Sequence, residues 1–294
     1  MKPISQQTIL ITGSTDGVGK QAALALAKQG AKVLIHGRDT QKLEGTLQEI
    51  RRAAGATRLE TNLADFASLD EVRRMAEDLN AHHAHLDMLI NNAGIGPGRL
   101  TGTNREISLD GYELRFAVNY LAPFLLTRLL LPLLRRSPPS RIINVASIGQ
   151  SRLDFDDPMF ERNYDPLEAY RRSKLALIMF TFDLAEELKG EGITVNCLHP
   201  ASLMNTRMVY ESFGYSLSTI QHGLEAVMNL AISPKFDTVS GRFFDQLREA
   251  RAHNQAYDPL VRSRLKEISE RLTGLQSSLI THRETNTLKG TFRD

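Results

Sequence analysis

The chain has 294 residues, 41% hydrophobic and 24% charged, with 36 basic against 34 acidic side chains. That is material for one large α/β domain or two small ones, and a formal charge of +2 gives no electrostatic case for nucleic acid or an anionic membrane. The single cysteine, Cys197, excludes an intrachain disulfide and a cysteine metal cluster, and it fits a reducing compartment.

The opening MKPISQQTILITGS lacks the long apolar run of a signal peptide, so a soluble, cytoplasmic protein is expected. Residues 8–12 (TILIT) form an apolar, β-branched run that ends in glycines, the pattern of a buried parallel strand. A helix is predicted over 18–29, stopped by Gly30. A strand follows over 32–36 (KVLIH), a helix over 41–53, a short strand over 58–61 and a helix over 68–80. Another strand covers 86–91 (LDMLIN). A helix over 114–136 contains the most apolar run, FLLTRLLLPLL, which Arg128 and Pro132 interrupt and which is too short to span a bilayer. The strand 141–146 (RIINVA) comes next. Asp165, Pro166 and Glu168 then mark a capped helix start, and that helix runs to about 189. A strand over 193–198 (ITVNCL) completes the pattern. Alternating strands and helices, with strands apolar on both faces, predict a single doubly wound α/β sheet with helices on both sides. Residues 276–294 are polar and aperiodic, and a mobile tail is expected there.

Four short motifs carry chemistry. TGSTDGVGK (12–20) places glycines at 13, 17 and 19 between a strand and a helix, where unpaired N–H groups bind phosphate and glycine lets backbone approach it. The spacing departs from G-x-G-x-x-G, with three residues between the first two glycines. HGRD (36–39) closes the second strand, where a dinucleotide's adenosine ribose lies. An acid there suits the 2′-hydroxyl of NAD and an arginine the 2′-phosphate of NADP; Asp39 and Arg38 are both present, so spacing alone leaves the choice open. NNAG (91–94) ends the fourth strand with two amides and a small pair suited to close approach by a ligand. YRRSK (170–174) sets a phenol one helical turn from an ammonium.

Together with Asn119 in FAVNY and Ser147 in INVAS, these motifs fall in an order that resembles the short-chain dehydrogenase/reductase family over about 7–206. The longer interval from Ser147 to Tyr170, with HGRD and FAVNYLAPFLLTRLLLPLL, resembles its retinol-dehydrogenase-like branch. The resemblance implies an NAD(P)-dependent enzyme that interconverts an alcohol and a carbonyl, with a Rossmann fold. It implies Tyr170 as general acid/base and Lys174 as the charge that favours the phenolate and a partner of the nicotinamide ribose. Ser147 would bind the substrate oxygen, and Asn119 would hold a water that links Lys174 to solvent. Cofactor contacts would come from Gly13, Ser14, Thr15, Asp16, Gly17, Val18 and Gly19, then from Arg38, Asn62, Leu63, Asn92, Ala93 and Gly94, and from Asn119, Tyr170 and Lys174. Members that prefer NAD carry an acid where this chain has Gly37, and Arg38 follows, so NADP(H) is favoured with NAD(H) as the alternative. Asn62-Leu63 and Pro200-Ala201 stand where the family often has Asp-Leu and Pro-Gly. The domain would span 1–275, with substrate walls near 149–165 and 202–218, and a homo-oligomer through helices 114–136 and 165–189 stays open. A different reading is a silent NADP(H)-binding sensor or scaffold, against which the intact tetrad argues.

HHAH (82–85) lies between a helix and a strand, opposite the strand C-termini, and is expected to be a solvated turn rather than a metal site. The arginine pairs 51–52, 73–74 and 135–136 fit solvated helix faces, and Arg171 and Arg172 point away from the 170–174 stripe. Cys197 fits a small buried side chain, and Met204 and Met208 fit either a pocket or helix packing.

Overall fold

The computed structural model describes residues 1–55, 58–98 and 104–275, so the tail expected over 276–294 lies outside the described residues. In β1 (Thr8–Ile11), Ile9 and Ile11 enter one buried cluster and Leu10 the other. β2 (Lys32–Gly37) divides Val33 and Ile35 from Leu34 in the same way. β3 (Leu59–Leu63) is the outer strand, and β4 (Met88–Asn91) again divides Met88 and Ile90 from Leu89. Side chains alternate along a strand, so a sheet covered on both sides needs apolar residues at every position.

The helices supply the cover. They are α1 (Gly17–Lys28), α2 (Thr40–Ala54), α3 (Leu69–His82), α4 (Leu114–Phe116), α5 (Ala122–Arg135), α6 (Pro166–Glu187), α7 (Arg207–Phe213), α8 (Ile220–Ile232) and α9 (Pro259–Leu272). Buried residues of α1, α2 and α8 build one core, and those of α3, α5 and α6 build the other. The remaining strands are β5 (Ser140–Val145), β6 (Ile193–His199), β7 (Phe243–Asp245) and β8 (Arg248–Glu249). The sheet order is β3-β2-β1-β4-β5-β6-β7-β8, parallel except for the last pair. The winding reverses between β1 and β4, and that crevice at the strand C-termini is where doubly wound sheets bind ligands.

The single doubly wound sheet agrees with the pattern of the sequence. The last two strands did not show there, because three and two residues leave no period to detect. The helix expected over 114–136 is three pieces: α4, a π-helical turn over Ala117–Leu121, and α5. Taken together, Leu114–Arg135 is long and apolar enough to cross a membrane, which corrects the shorter run considered above. Its apolar window is 83% buried, as in the core helix of a soluble domain. At α6, the Asp165 carboxylate accepts from the Glu168 N–H at 2.7 Å and Pro166 occupies the first turn, so the cap forms as its residues predict.

α9 lies against α6 and the π turn. Tyr120 and Ser269 hydroxyls pair at 2.6 Å, Arg262 pairs with Glu186 at 2.8 Å, and Lys266 with Glu187 at 2.9 Å. HHAH is more structured than a solvated turn: His83 is largely buried and meets Glu60 at 3.3 Å, and His85 meets the buried Asp87 at 3.3 Å. The cause is β3, whose exposed Glu60 faces this corner. Cys197 is fully buried in β6, and burial pushes its thiol up to about 12.

Candidate active site

Gly13 sits at φ +62°, and a Cβ there would come within 2.7 Å of the Ala93 backbone, so glycine is required. At Gly19 a Cβ would collide with the Asn92 amide and the Gly13 carbonyl. The loops after β1 and β4 are thereby held together. Asn92 Nδ2 donates to the Thr12 and Gly13 carbonyls at 2.9 and 3.0 Å, and Thr12 Oγ1 accepts from the N–H groups of Asn92 and Ala93 at 3.0 Å each. Asp16 caps α1 by accepting from the Gly17 N–H at 2.7 Å. The N–H groups of Val18 and Gly19 take no partner among the described residues. Two unpaired donors at the head of a helix, with half-buried glycine backbone beside them, fit the diphosphate of a nicotinamide dinucleotide. Ser14 departs from its assignment: its buried hydroxyl donates to the Ile11 carbonyl at 2.9 Å and accepts from the His36 N–H at 2.8 Å, so it braces the loop.

At the end of β2, Asp39 accepts from the Lys42 N–H at 2.9 Å and caps α2. The carboxylate thus has a structural task, while exposed Arg38 makes no hydrogen bond or ion pair among the described residues. A Cβ at Gly37 would lie 2.5 Å from Thr15 Cγ2, so an acid there would displace Thr15. Asn62 and Leu63 lie in register with His36 and Gly37 at the end of β3. Asn62 Nδ2 makes a long contact, 3.4 Å, to the Ile35 carbonyl, and Leu63 is exposed.

The four residues of the tetrad converge beyond β4 and β5. The π turn carries Asn119, and such turns are frequent at functional sites. Asn119 Oδ1 accepts from the Ile95 N–H at 2.8 Å, and its Nδ2 donates to the Ile95 carbonyl and to Ser173 Oγ, both at 3.0 Å. Both amide hydrogens are occupied, so any water it holds must donate to Oδ1 or to the Asn119 main-chain carbonyl. A Cβ at Gly94 would sit 3.1 Å from that oxygen and 3.4 Å from Lys174 Nζ, which locates both atoms around one glycine. Ser147 lies two residues beyond β5; its hydroxyl accepts from the Gly149 N–H at 3.0 Å and is near enough to the Tyr170 phenol to affect its pKa.

Lys174 is buried and donates to the Val145 carbonyl at 3.0 Å, with Nζ 5.8 Å from the centre of the Tyr170 ring. Burial draws its ammonium down to about 8. Burial also raises the Tyr170 phenol above the ordinary tyrosine value, with the nearby Ser147 hydroxyl pulling the other way. The expected depression of the phenol by Lys174 is therefore not what the protein alone produces: desolvation prevails, and the ammonium is engaged by Val145.

Two further residues inside these motifs have roles that their local pattern does not show. Thr12 joins the two loops, and Ser173 accepts from Asn119 while donating to the Tyr170 carbonyl at 2.7 Å. The threonine of TGSTDGVGK and the serine of YRRSK were visible, but Asn92, Ala93 and Asn119, which they bind, lie far off in sequence.

The walls differ in construction. Segment 149–165 is tied to residues before α9: Gln150 Oε1 accepts from the His253 N–H at 2.7 Å, and Gln255 bonds both backbone groups of Leu153. Across 202–218, α7 lies over both loops. A Cβ at Gly96 would meet Met208 Cγ at 2.8 Å and Ser212 Oγ at 3.0 Å, and Thr206 Cγ2 is 3.6 Å from a Cβ at Gly17. Met204 instead packs toward Gly223 and the α1 core. The segment therefore covers the glycine loop and the loop after β4.

A family model described as short chain dehydrogenase matches residues 7–214. Mouse "Retinol dehydrogenase 13" is 37% identical over 289 residues, covering 92% of this chain and 85% of that protein. An uncharacterized protein from Mycobacterium paratuberculosis superposes with TM-score 0.75 at 29% identity, covering 92% of this chain and 94% of the other. The Pseudomonas aeruginosa RhlG/NADP active-site complex superposes with TM-score 0.66 at 28% identity, covering 83% and 97%. The chain belongs to the short-chain dehydrogenase/reductase family, as a retinol-dehydrogenase-like, NAD(P)-dependent oxidoreductase.

Proposed function

We propose that the enzyme interconverts an alcohol and a carbonyl with NADP(H) preferred, and that Tyr170 is its general acid/base. The observation that carries this is the meeting of Asn119 and Lys174 beside Gly94, with the Tyr170 ring 5.8 Å from that ammonium and Ser147 just beyond β5. When bound, the cofactor supplies or accepts the hydride. Ser147 holds the substrate oxygen beside the phenol, and Tyr170 passes a proton to or from that oxygen. The raised phenol pKa keeps Tyr170 protonated at neutral pH in the cofactor-free protein, so it can donate its proton to a carbonyl oxygen. The preference for NADP(H) is supported by Gly37, by the Asp39 cap and by uncommitted Arg38. Met208 beside Gly96, and exposed Tyr210, Tyr215 and Leu217 in the cover, support an apolar substrate. Relatives named as retinol dehydrogenases support the same class. We keep the cytoplasm as the proposed compartment, supported by the unpaired Cys197; recovery of the native protein in the membrane pellet would overturn it.

The test is Tyr170→Phe, assayed with a panel of apolar aldehydes and NADPH. Turnover should fall by roughly 10²–10⁴-fold while NADPH binding stays near that of the wild type. Wild-type protein that binds NADPH but turns over no carbonyl or alcohol would favour a sensor instead.

A further inference from the structure

His36, near the end of β2, is 3% exposed. Its Nδ1 lies 2.9 Å from the backbone nitrogen of Gly13, and an N–H only donates, so Nδ1 carries a lone pair. The ring proton is therefore on Nε2, which donates to the Ala64 carbonyl at 3.1 Å. The ring stacks on Phe66 with centroids 4.4 Å apart. Backbone bonds add to this, since the His36 N–H donates to Ser14 Oγ at 2.8 Å and its carbonyl accepts from the Ser14 N–H at 2.9 Å. Burial lowers the imidazole to about 4, which keeps it neutral through the physiological range. A single side chain hanging from β2 thus ends on the loop after β1 with one nitrogen and on the turn after β3 with the other. An apolar ring of the same size would leave the Gly13 N–H and the Ala64 carbonyl without partners.

We propose that His36 is a positioning residue for the cofactor, a neutral brace that sets the spacing between the glycine loop and the Asn62–Leu63 wall. The proposal rests on the cofactor reading of this site. No ligand touches the ring; it acts through the backbone of Gly13 and Ala64.

Two variants separate the ring nitrogens. His36→Asn keeps an acceptor at the δ position and loses the ε donor, whereas His36→Gln puts its amide at the ε position and loses the acceptor for Gly13. NADPH dissociation constants from fluorescence titration, kcat at saturating NADPH, and unfolding midpoints are measured for both, with Tyr170→Phe as the inactive control that still binds. His36→Gln should weaken NADPH roughly tenfold, about the effect of one buried hydrogen bond. Its kcat at saturation should stay within about twofold, because binding and not the reacting geometry is altered. His36→Asn should bind NADPH more tightly than His36→Gln. Variants that bind NADPH as the wild type does overturn the proposal, as do variants that lose midpoint and kcat together at unchanged affinity. A wild-type chain that binds no NADPH overturns the cofactor reading and this proposal with it.

Discussion

At the scale of single residues, the site depends on groups whose charge is set by burial. Lys174 is drawn down to about 8 against about 10.4 for a free lysine. Below pH 8 both folded and unfolded chains carry the proton, and the folded chain bears the full cost of a buried ammonium. Between pH 8 and 10.4 the unfolded chain binds more protons, so stability rises with pH across that window. The unfolding midpoint of the wild type should therefore gain on that of Lys174→Met from pH 7 to pH 10 in thermal denaturation of the cofactor-free protein. A constant difference would show that Lys174 is solvated. Arg38 tests cofactor choice: Arg38→Ala should weaken NADPH by about tenfold, the scale of a charge-assisted hydrogen bond, and NADH much less. Equal losses in titrations with the two cofactors would contradict a role at the 2′-phosphate.

At the scale of elements, the decisive feature is the contact between the loops after β1 and β4. Gly13 lies in the left-handed region and against the Ala93 backbone, so Gly13→Ala meets both a conformational penalty of about 1–3 kcal/mol and a steric one. It should lower the thermal midpoint and abolish NADPH binding, as read by calorimetry and fluorescence titration. Retained affinity would mean that the loop is set by other contacts. The glycines were legible as a phosphate loop because their spacing follows a strand and opens a helix. Their pairing with Asn92 was not, since 79 residues separate Asn92 from Gly13. Likewise, FAVNY reads as plain helix, and the π turn that carries Asn119 comes from packing against Ile95 and Ser173.

At the scale of the whole molecule, α9 changes what the α5–α6 side offers. That side stayed open as a route to a homo-oligomer, and Ser269, Arg262 and Lys266 meet the π turn and α6 there from within the chain. Sedimentation should show one chain per particle. Truncation before α9 would expose apolar residues around Tyr120, lower the thermal midpoint and promote association. A full-length dimer whose formation is abolished by charges placed on exposed positions of α5 and α6 would refute this assignment.

The sequence by itself determined the alternation of strands and helices, because strands buried on both faces must be apolar throughout, and this signal is local. It also determined the types of residue at the site: glycines between a strand and a helix, and a phenol one helical turn from an ammonium. Tertiary structure decided what those residues do to one another. It left Asp39 at a helix cap and Arg38 uncommitted, committed Ser14 to bracing its loop, and raised the Tyr170 phenol where Lys174 had been expected to lower it. It also brought α9 across α6. Burial, hydrogen-bond partners and charge separation depend on segments far apart in the chain, so they exist only once the sheet has wound.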